Sequence, residues 1–269
     1  MSSPTFERIN HRLSPASLNA YFRCPRKFQW RYIRKVKTPY VFKPHLAFGG
    51  ATHKAIARCL GDQLDKQPQQ TFESYATTYV GRERYPDDGG AALRAEHIPQ
   101  VVEHMDRGLG ALPTGYRVHS VEREYRYRIA LPDLGDDILL TSKVDLVIEH
   151  GDDLVDHVDF KTGSQQGDPF QNLLSRITVK HAFDAQRKFE GLPELDSAKL
   201  RTINLLTRDG TYLVYPADRN AHATTWQSIR QTISEIGRDN EWRPRPDPPV
   251  CRFCEFAPNC DAAELGEDE

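Results

Sequence analysis

Long apolar runs are missing from this chain of 269 residues. No segment approaches the ~18–20 consecutive apolar residues that a membrane-spanning helix needs, so no membrane partner is expected. The opening Met1-Ser2-Ser3-Pro4-Thr5-Phe6-Glu7-Arg8 lacks the apolar core of a secretory leader, which makes the cytoplasm the expected location. A G-x-x-x-x-G-K-[ST] phosphate loop is also missing, and its absence excludes a helicase motor within the chain. Cysteine is scarce and odd in number, five in all, with three of them in the last twenty residues. In a reducing compartment such crowding favours a metal site over disulfides. There is no surplus of basic residues: 36 Lys and Arg against 38 Asp and Glu leave a net charge of −2, a sum that argues against a nucleic-acid partner.

The distribution of charge says more than the sum. Eight Lys and Arg and no acid lie from Arg23 to Lys43, whereas Asp261, Glu264, Glu267, Asp268 and Glu269 end the chain without a base. Apolar residues make up 38% and charged residues 28%, which describes a polar but not a disordered chain. The length suffices for one sizeable core.

The most informative stretch runs from Val144 to Gly163. Two alternating apolar runs, Thr141–Glu149 and Asp153–Phe160, flank the turn sequence His150-Gly151-Asp152-Asp153, a hairpin signal. Asp145 falls on the first strand, and Asp159 and Lys161 fall on the second. A period of two puts Asp159 and Lys161 on one side of the sheet. Two carboxylates and a lysine converging there have the parts of metal-assisted hydrolysis; a solvated edge hairpin with ordinary surface charges reads equally well from these residues alone.

Around the hairpin, residues 1–12 read as an arm, and Ser14-Pro15 opens a helix that Cys24-Pro25 breaks or restarts. The run Arg26, Lys27, Phe28, Trp30, Arg31 and Tyr32 joins bases that suit phosphates to aromatics that stack on bases or simply face inward. Gly49-Gly50 precedes a helix expected from about Ala51 to Leu64, with His53 in its first turn and Cys59 as a core residue. Residues 70–112 read as helices that form a lobe able to close over a substrate. A strand with Glu122 and Glu124 follows from about Tyr116. After the hairpin come a polar loop at Ser164–Asp168, helical residues 169–190, strands at Lys199–Leu206 and Thr211–Tyr215, and a long helix over 219–241. A stiff Pro-rich connector leads to Cys251-x2-Cys254-x5-Cys260, one ligand short of a four-cysteine site, which Cys24 would complete.

Asp145, then Asp159-Phe160-Lys161-Thr162-Gly163, resembles the core of the PD-(D/E)XK nuclease superfamily, with Ser142 standing where the family commonly has Gly. The nearest likeness is to RecB-like exonucleases, including the CRISPR-associated branch and AddB-type nuclease domains. Leu13–Tyr32, Gly49–His53 and Cys251–Cys260 occur in the order of that family. The resemblance implies an α/β fold: a mixed central β-sheet flanked by helices, a restriction-endonuclease-like core. It would form one domain over 1–269, with a helical insertion at 66–114, sheet and catalytic core at 116–216, and a cluster segment at 243–264 closed by Cys24. It implies Mg²⁺ or Mn²⁺ held by His53, Asp145, Asp159 and the Phe160 carbonyl, with Glu122 or Glu124 as an outer ligand and Lys161 as catalytic lysine. It also implies a [4Fe–4S] cluster on Cys24, Cys251, Cys254 and Cys260, zinc being the alternative. The family's Q-x-x-x-Y motif finds its nearest counterpart at Gln186–Glu190, with Phe189 one position early. Arg26, Lys27, Arg31 and Lys188 are the expected DNA contacts.

The activity implied is metal-dependent exonucleolytic cleavage of DNA, of single strands or ends, in recombination, repair, phage replication or CRISPR adaptation. A homo-oligomer or a recombination or CRISPR-adaptation complex is its expected setting. Two other classes stand beside it: a DNA-end-binding subunit that does not cut, and a zinc-stapled nucleic-acid-binding regulator.

Overall fold

The structure, a computed structural model, describes residues 3–163, 168–215 and 219–263. The acidic residues from Glu264 onward and most of the Ser164–Asp168 loop lie outside the described residues. The elements are α1 (Pro4–Arg8), β1 (Arg12–Leu13), α2 (Pro15–Arg23), α3 (Pro25–Phe28), α4 (Pro44–Leu64), α5 (Phe72–Arg82), α6 (Gly90–Gly110), β2 (Arg117–Leu131), β3 (Asp136–Glu149), β4 (Val155–Lys161), α7 (Pro169–Phe189), β5 (Leu200–Leu206), β6 (Thr211–Tyr215), α8 (Arg219–Arg238) and α9 (Pro248–Arg252). The fold is mixed α/β. β1 runs parallel to β3 and β4 parallel to β5, while β3–β4 and β5–β6 are antiparallel.

Local chemistry accounts for the boundaries. Proline opens α1, α2, α3, α4 and α9, where its missing N–H costs nothing. Ser14 caps α2 in a reciprocal capping box with Ser17. Cys24, in extended backbone, closes α2 and starts α3, since Pro25 cannot donate the bond that would continue the helix. Thr71 caps α5 by accepting from Ser74 N–H at 3.2 Å, and Asp168 caps α7 through Phe170 N–H at 2.8 Å.

The chain packs as two compact units. One holds Val41–Tyr125 and Lys143–Ala217. In it, one face of β3–β5 offers Leu146, Ile148, Val158, Phe160, Ile203 and Leu205 to α4, α5 and α6, which contribute Ala55, Ile56, Tyr75, Val80, Val101 and Met105. The other face offers Val147, Val155 and Leu200 to Val179 and Phe183 of α7. The helices at 70–112 therefore form a layer of the main core rather than a closing lobe, because their apolar stripes are spent against the sheet.

The other unit holds Met1–Tyr40, Arg126–Ser142 and Asp218–Glu269. Its core includes Phe6, Leu13, Leu18, Phe28, Ile138, Leu140, Ile229, Ile233 and Ile236, all at most 1% exposed. Phe28 stacks on Trp242 at 5.8 Å, and the Tyr21 hydroxyl donates to Asp239 at 3.0 Å. Residues 3–12, expected as part of an arm over 1–12, are thus packed into this unit. Phe6 is fully buried, Ser3 N–H donates to Asp136 at 2.7 Å, and β1 pairs Arg12 with Leu139 and Leu13 with Leu140.

α4 also departs from expectation by starting at Pro44, so Gly49 and Gly50 lie inside it and His53 sits beyond its first turn. Two close approaches explain the glycines. A Cβ on Gly49 would meet Thr162 Oγ1 at 3.1 Å, and one on Gly50 would meet Glu83 Oε1 at 3.1 Å.

Candidate metal centre

The centre lies within the unit that holds the hairpin. The hairpin forms as its sequence directs: β3 carries Asp145, β4 carries Asp159 and Lys161, and Leu146 pairs with Val158. From α4, His53 Nδ1 reaches Asp145 Oδ2 at 3.3 Å. From β2, Glu122 joins them, and one donor atom each of His53, Glu122 and Asp145 lie within 4.8 Å of one another. Phe160 enters through its backbone N–H, which donates to Asp145 Oδ2 at 2.8 Å, and through its ring, edge-on to His53 at 6.2 Å.

Lys161 pairs with Asp159 through Oδ2. That oxygen is buried, and Lys161 is its only partner among the described residues. Asp159 Oδ1 accepts from Gln171 Nε2 at 3.1 Å. The Lys161 carbonyl accepts from Thr207 N–H at 2.9 Å, which fixes the backbone that aims the ammonium. Lys143 pairs with Glu122.

Charge is unevenly stabilised here. Burial pushes the Asp159 carboxyl up to about 6, helped by the charge of Asp145 and opposed by Lys161. Burial acts the same way on Asp145, but the hydrogen bond and charge of His53, the Phe160 N–H and Lys161 outweigh it and hold that carboxyl low. Burial disfavours charge on His53, yet Asp145, Asp159 and Glu122 raise it above its ordinary value. Three carboxylates, those of Asp145, Asp159 and Glu122, face two ammonium groups, Lys161 and Lys143, and one imidazole, and a divalent cation among them would stabilise their charged forms. Oxygen donors with one imidazole suit Mn²⁺ and Mg²⁺. Below the centre on β4, His157 is buried without a hydrogen bond among the described residues, and burial holds it neutral with its pKa near 4.

Gln186 is not brought to the centre. It is exposed on α7, and its amide donates to Glu190 at 3.0 Å. Phe189 beside it is 94% exposed. Gln171, fifteen positions earlier and about 22 Å back along the helix axis at ~1.5 Å per residue, is the glutamine that touches Asp159. Its signal was present: Gln171-x-x-x-Ser175 follows Lys161 by ten positions, with Ser in place of the aromatic. Glu122, not Glu124, faces the metal group.

The basic residues read as DNA contacts are largely engaged inside the chain. In the unit of Met1–Tyr40, Arg26 pairs with Asp261, while Lys27 and Arg31 pair with Glu255 at 3.3 and 3.1 Å. Lys188, in the other unit, is exposed. Cys24, Cys251, Cys254 and Cys260 line one small hollow and form no disulfide. No three cysteine sulfurs among the described residues come within 4.8 Å of one another. Cys59 is buried in the main core, apart from them in sequence and packing.

Among the described residues no helix is long and apolar enough to cross a membrane. A family model described as the PD-(D/E)XK nuclease superfamily matches residues 12–261. No curated protein matches the chain. Among solved structures, "Crystal structure of SSO0001" is similar at 14% identity over 94% of this chain and 87% of that chain, with a TM-score of 0.40.

Proposed function

The chain belongs to the PD-(D/E)XK nuclease superfamily, and from that premise we propose that it is a metal-dependent deoxyribonuclease, an exonuclease acting on single strands or DNA ends. Membership by itself implies metal-dependent nuclease activity on a nucleic acid. The observation that carries the fuller reading is the convergence of His53, Glu122 and Asp145 beside the buried Asp159–Lys161 pair.

His53, Asp145, Asp159 and the Phe160 carbonyl would hold Mg²⁺ or Mn²⁺, with Glu122 as a further donor. The buried carboxylate of Asp159 supports this, since among the described residues its Oδ2 has Lys161 alone as a partner and keeps acceptor capacity for a cation. Such a cation supplies Lewis acidity at the scissile phosphate and makes water a stronger acid. Lys161 orients the attacking water and offsets charge that develops on the phosphate oxygens. Gln171 locks the orientation of Asp159 through its 3.1 Å hydrogen bond. Lys188 would neutralise a backbone phosphate.

A cluster on Cys24, Cys251, Cys254 and Cys260 belongs to the same reading. Its support is the shared hollow and the one-early, three-late order of these residues. Thiolates bind both iron–sulfur clusters and zinc, and the iron–sulfur form is proposed on the family likeness.

The test of the nuclease reading is cleavage of a labelled oligonucleotide with Mn²⁺ or Mg²⁺. Asp145→Ala and Lys161→Ala are each expected to abolish cutting while circular dichroism and thermal unfolding show an intact fold. Undiminished cutting by either purified variant overturns the assignment.

A further inference from the structure

Arg26, Lys27 and Arg31, which the sequence marks for DNA, are ion-paired within the chain; among the described residues, two other bases, Arg8 and Lys35, are not. A hollow of about 290 Å³ lies wholly within the unit of Met1–Tyr40 and Arg126–Ser142. Arg8, Arg12, Lys35 and Tyr32 line it, and no carboxylate does. Its volume is many times what one water needs. Among the described residues Arg8 and Lys35 make no ion pair, in contrast to Arg26, Lys27 and Arg31. Arg12 is fixed in place: its Nε donates to Thr141 Oγ1 at 3.3 Å, and its backbone belongs to β1.

We propose that this hollow binds a phosphodiester of single-stranded DNA. The proposal rests on the deoxyribonuclease reading, and adds a strand-holding site to it. Arg8 and Lys35, in a concave surface that no carboxylate lines, concentrate positive potential more than the same charges on a flat one. The partly buried Tyr32 offers a phenol hydroxyl to a phosphate and a ring against which a base or sugar rests. Charges held by local structure, Arg8 in the last turn of α1 and Arg12 on β1, bind at lower ordering cost than charges on a free tail.

The experiment is fluorescence anisotropy of a labelled oligothymidylate of about 20 nucleotides, long enough to present several phosphates at once. It is done in EDTA so that nothing is cut, over a series of salt concentrations. The probe is titrated with the full chain and with an Arg8→Gln/Lys35→Gln double variant. Both side chains lie at the surface of a hollow, and thermal unfolding verifies that the double variant is folded. Arg8→Glu, a charge reversal at one position, is measured in parallel. The double variant is expected to bind at least about tenfold weaker. Its slope of log affinity against log salt should be shallower by about 1.4, at ~0.7 for each single-strand phosphate that the protein ceases to neutralise. Arg8→Glu should weaken binding in the same direction. A folded double variant with unchanged affinity and slope overturns the hollow while leaving the nuclease reading intact if the parent protein cuts DNA. A parent protein that binds no oligonucleotide in EDTA overturns the hollow, and cleavage with Mn²⁺ or Mg²⁺ then decides the nuclease reading separately. Inorganic phosphate, tested as a competitor of the oligonucleotide, separates the two sources of the same chemistry. Half-displacement below ~1 mM, an affinity beyond mere ionic screening, assigns the hollow to a free anion and overturns the strand assignment. Displacement only at ionic strengths where chloride acts equally supports it.

Discussion

At the residue scale, Asp159 is the most instructive side chain. Its carboxyl is pushed to about 6 by burial and by Asp145, and two neighbours hold its oxygens, Lys161 on one and Gln171 on the other. The hairpin carboxylates and Lys161 were legible because alternation and a Gly/Asp turn fix their face within twenty residues of chain. Gln171 was missed although its spacing was present, because Ser175 stands where the motif has an aromatic and Gln186 with Phe189 looked nearer to it. Groups that orient a metal ligand typically matter by 10–100-fold in activity or metal affinity. Gln171→Ala should therefore lower kcat/KM for oligonucleotide cleavage by roughly 10–100-fold, while Gln186→Ala, whose amide only spans one exposed turn to Glu190, should stay within about twofold of the parent, as expected for a surface residue away from the chemistry. Steady-state kinetics of the two variants side by side decide the point, and equal losses would remove Gln171 from the centre.

At the scale of elements, β2 shows where period-two reasoning stops. Val118 and Val121, three positions apart and so on opposite faces of a regular strand, both pack against the same core, so the alternation is interrupted just before Glu122. Glu122 itself has a φ of 51°, in the left-handed region. An extra residue at such a bulge re-aims the side chain, which is why Glu122 and not Glu124 joins His53 and Asp145. Neither residue type nor spacing announces this, because no Gly or Asn marks the position. The same sheet carries a buried polar lock. Asp156 of β4, fully buried, accepts both Nε and Nη2 of Arg201 on β5 at 2.6 Å, the Tyr212 hydroxyl of β6 at 2.7 Å, and pairs with His150 at 2.8 Å. Burial alone would raise its carboxyl, but Arg201, Tyr212 and His150 hold it below its ordinary value. The unfolded chain, with a carboxyl near 3.9, therefore takes up the proton first as acid is added. The stabilisation is complete above that value and is lost as pH falls through the lower folded one. Asp156→Asn should cost about 3 kcal/mol near pH 7, the scale for breaking a buried pair. The gap between variant and parent should narrow below about pH 4. Urea unfolding of both proteins from pH 7 to pH 3 checks this, and a gap that does not change with pH would show that the charge of Asp156 is not what the lock uses.

At the scale of the whole molecule, the sequence order of the motifs made the α/β class and the nuclease superfamily legible. The expected closure of Cys251–Cys260 by Cys24 already joined the Cys24 region to the last segment, but the sequence did not reveal that residues 3–12 pack in the same unit. Ser3 meets Gly237 and Tyr21 meets Asp239, each more than 200 positions away, and no local pattern encodes such partners. Two kinds of tie join the α3 region to the last segment. One is ionic and aromatic: Lys27 and Arg31 on Glu255, and Trp30 edge-on to Phe256 at 5.5 Å. The other is the hollow lined by Cys24, Cys251, Cys254 and Cys260. Their sizes differ by an order of magnitude if the cysteines hold a metal group. Exposed ion pairs are worth about 0–1 kcal/mol, whereas structural thiolate-bound zinc contributes roughly 10 kcal/mol to folding of small domains. Glu255→Ala should therefore shift the thermal midpoint only slightly. Cys251→Ala should lower it by well over ~5 °C, the order that 1–2 kcal/mol gives in a chain of this size. The parent, purified without oxygen, should carry iron, sulfide and visible absorption that the Cys251→Ala variant loses. Zinc in place of iron would keep the stability contrast and reassign the group. If instead Glu255→Ala and Cys251→Ala shift the midpoint equally and the parent contains no metal, the cysteines are ordinary packing residues and the ionic and aromatic ties alone hold the two segments together.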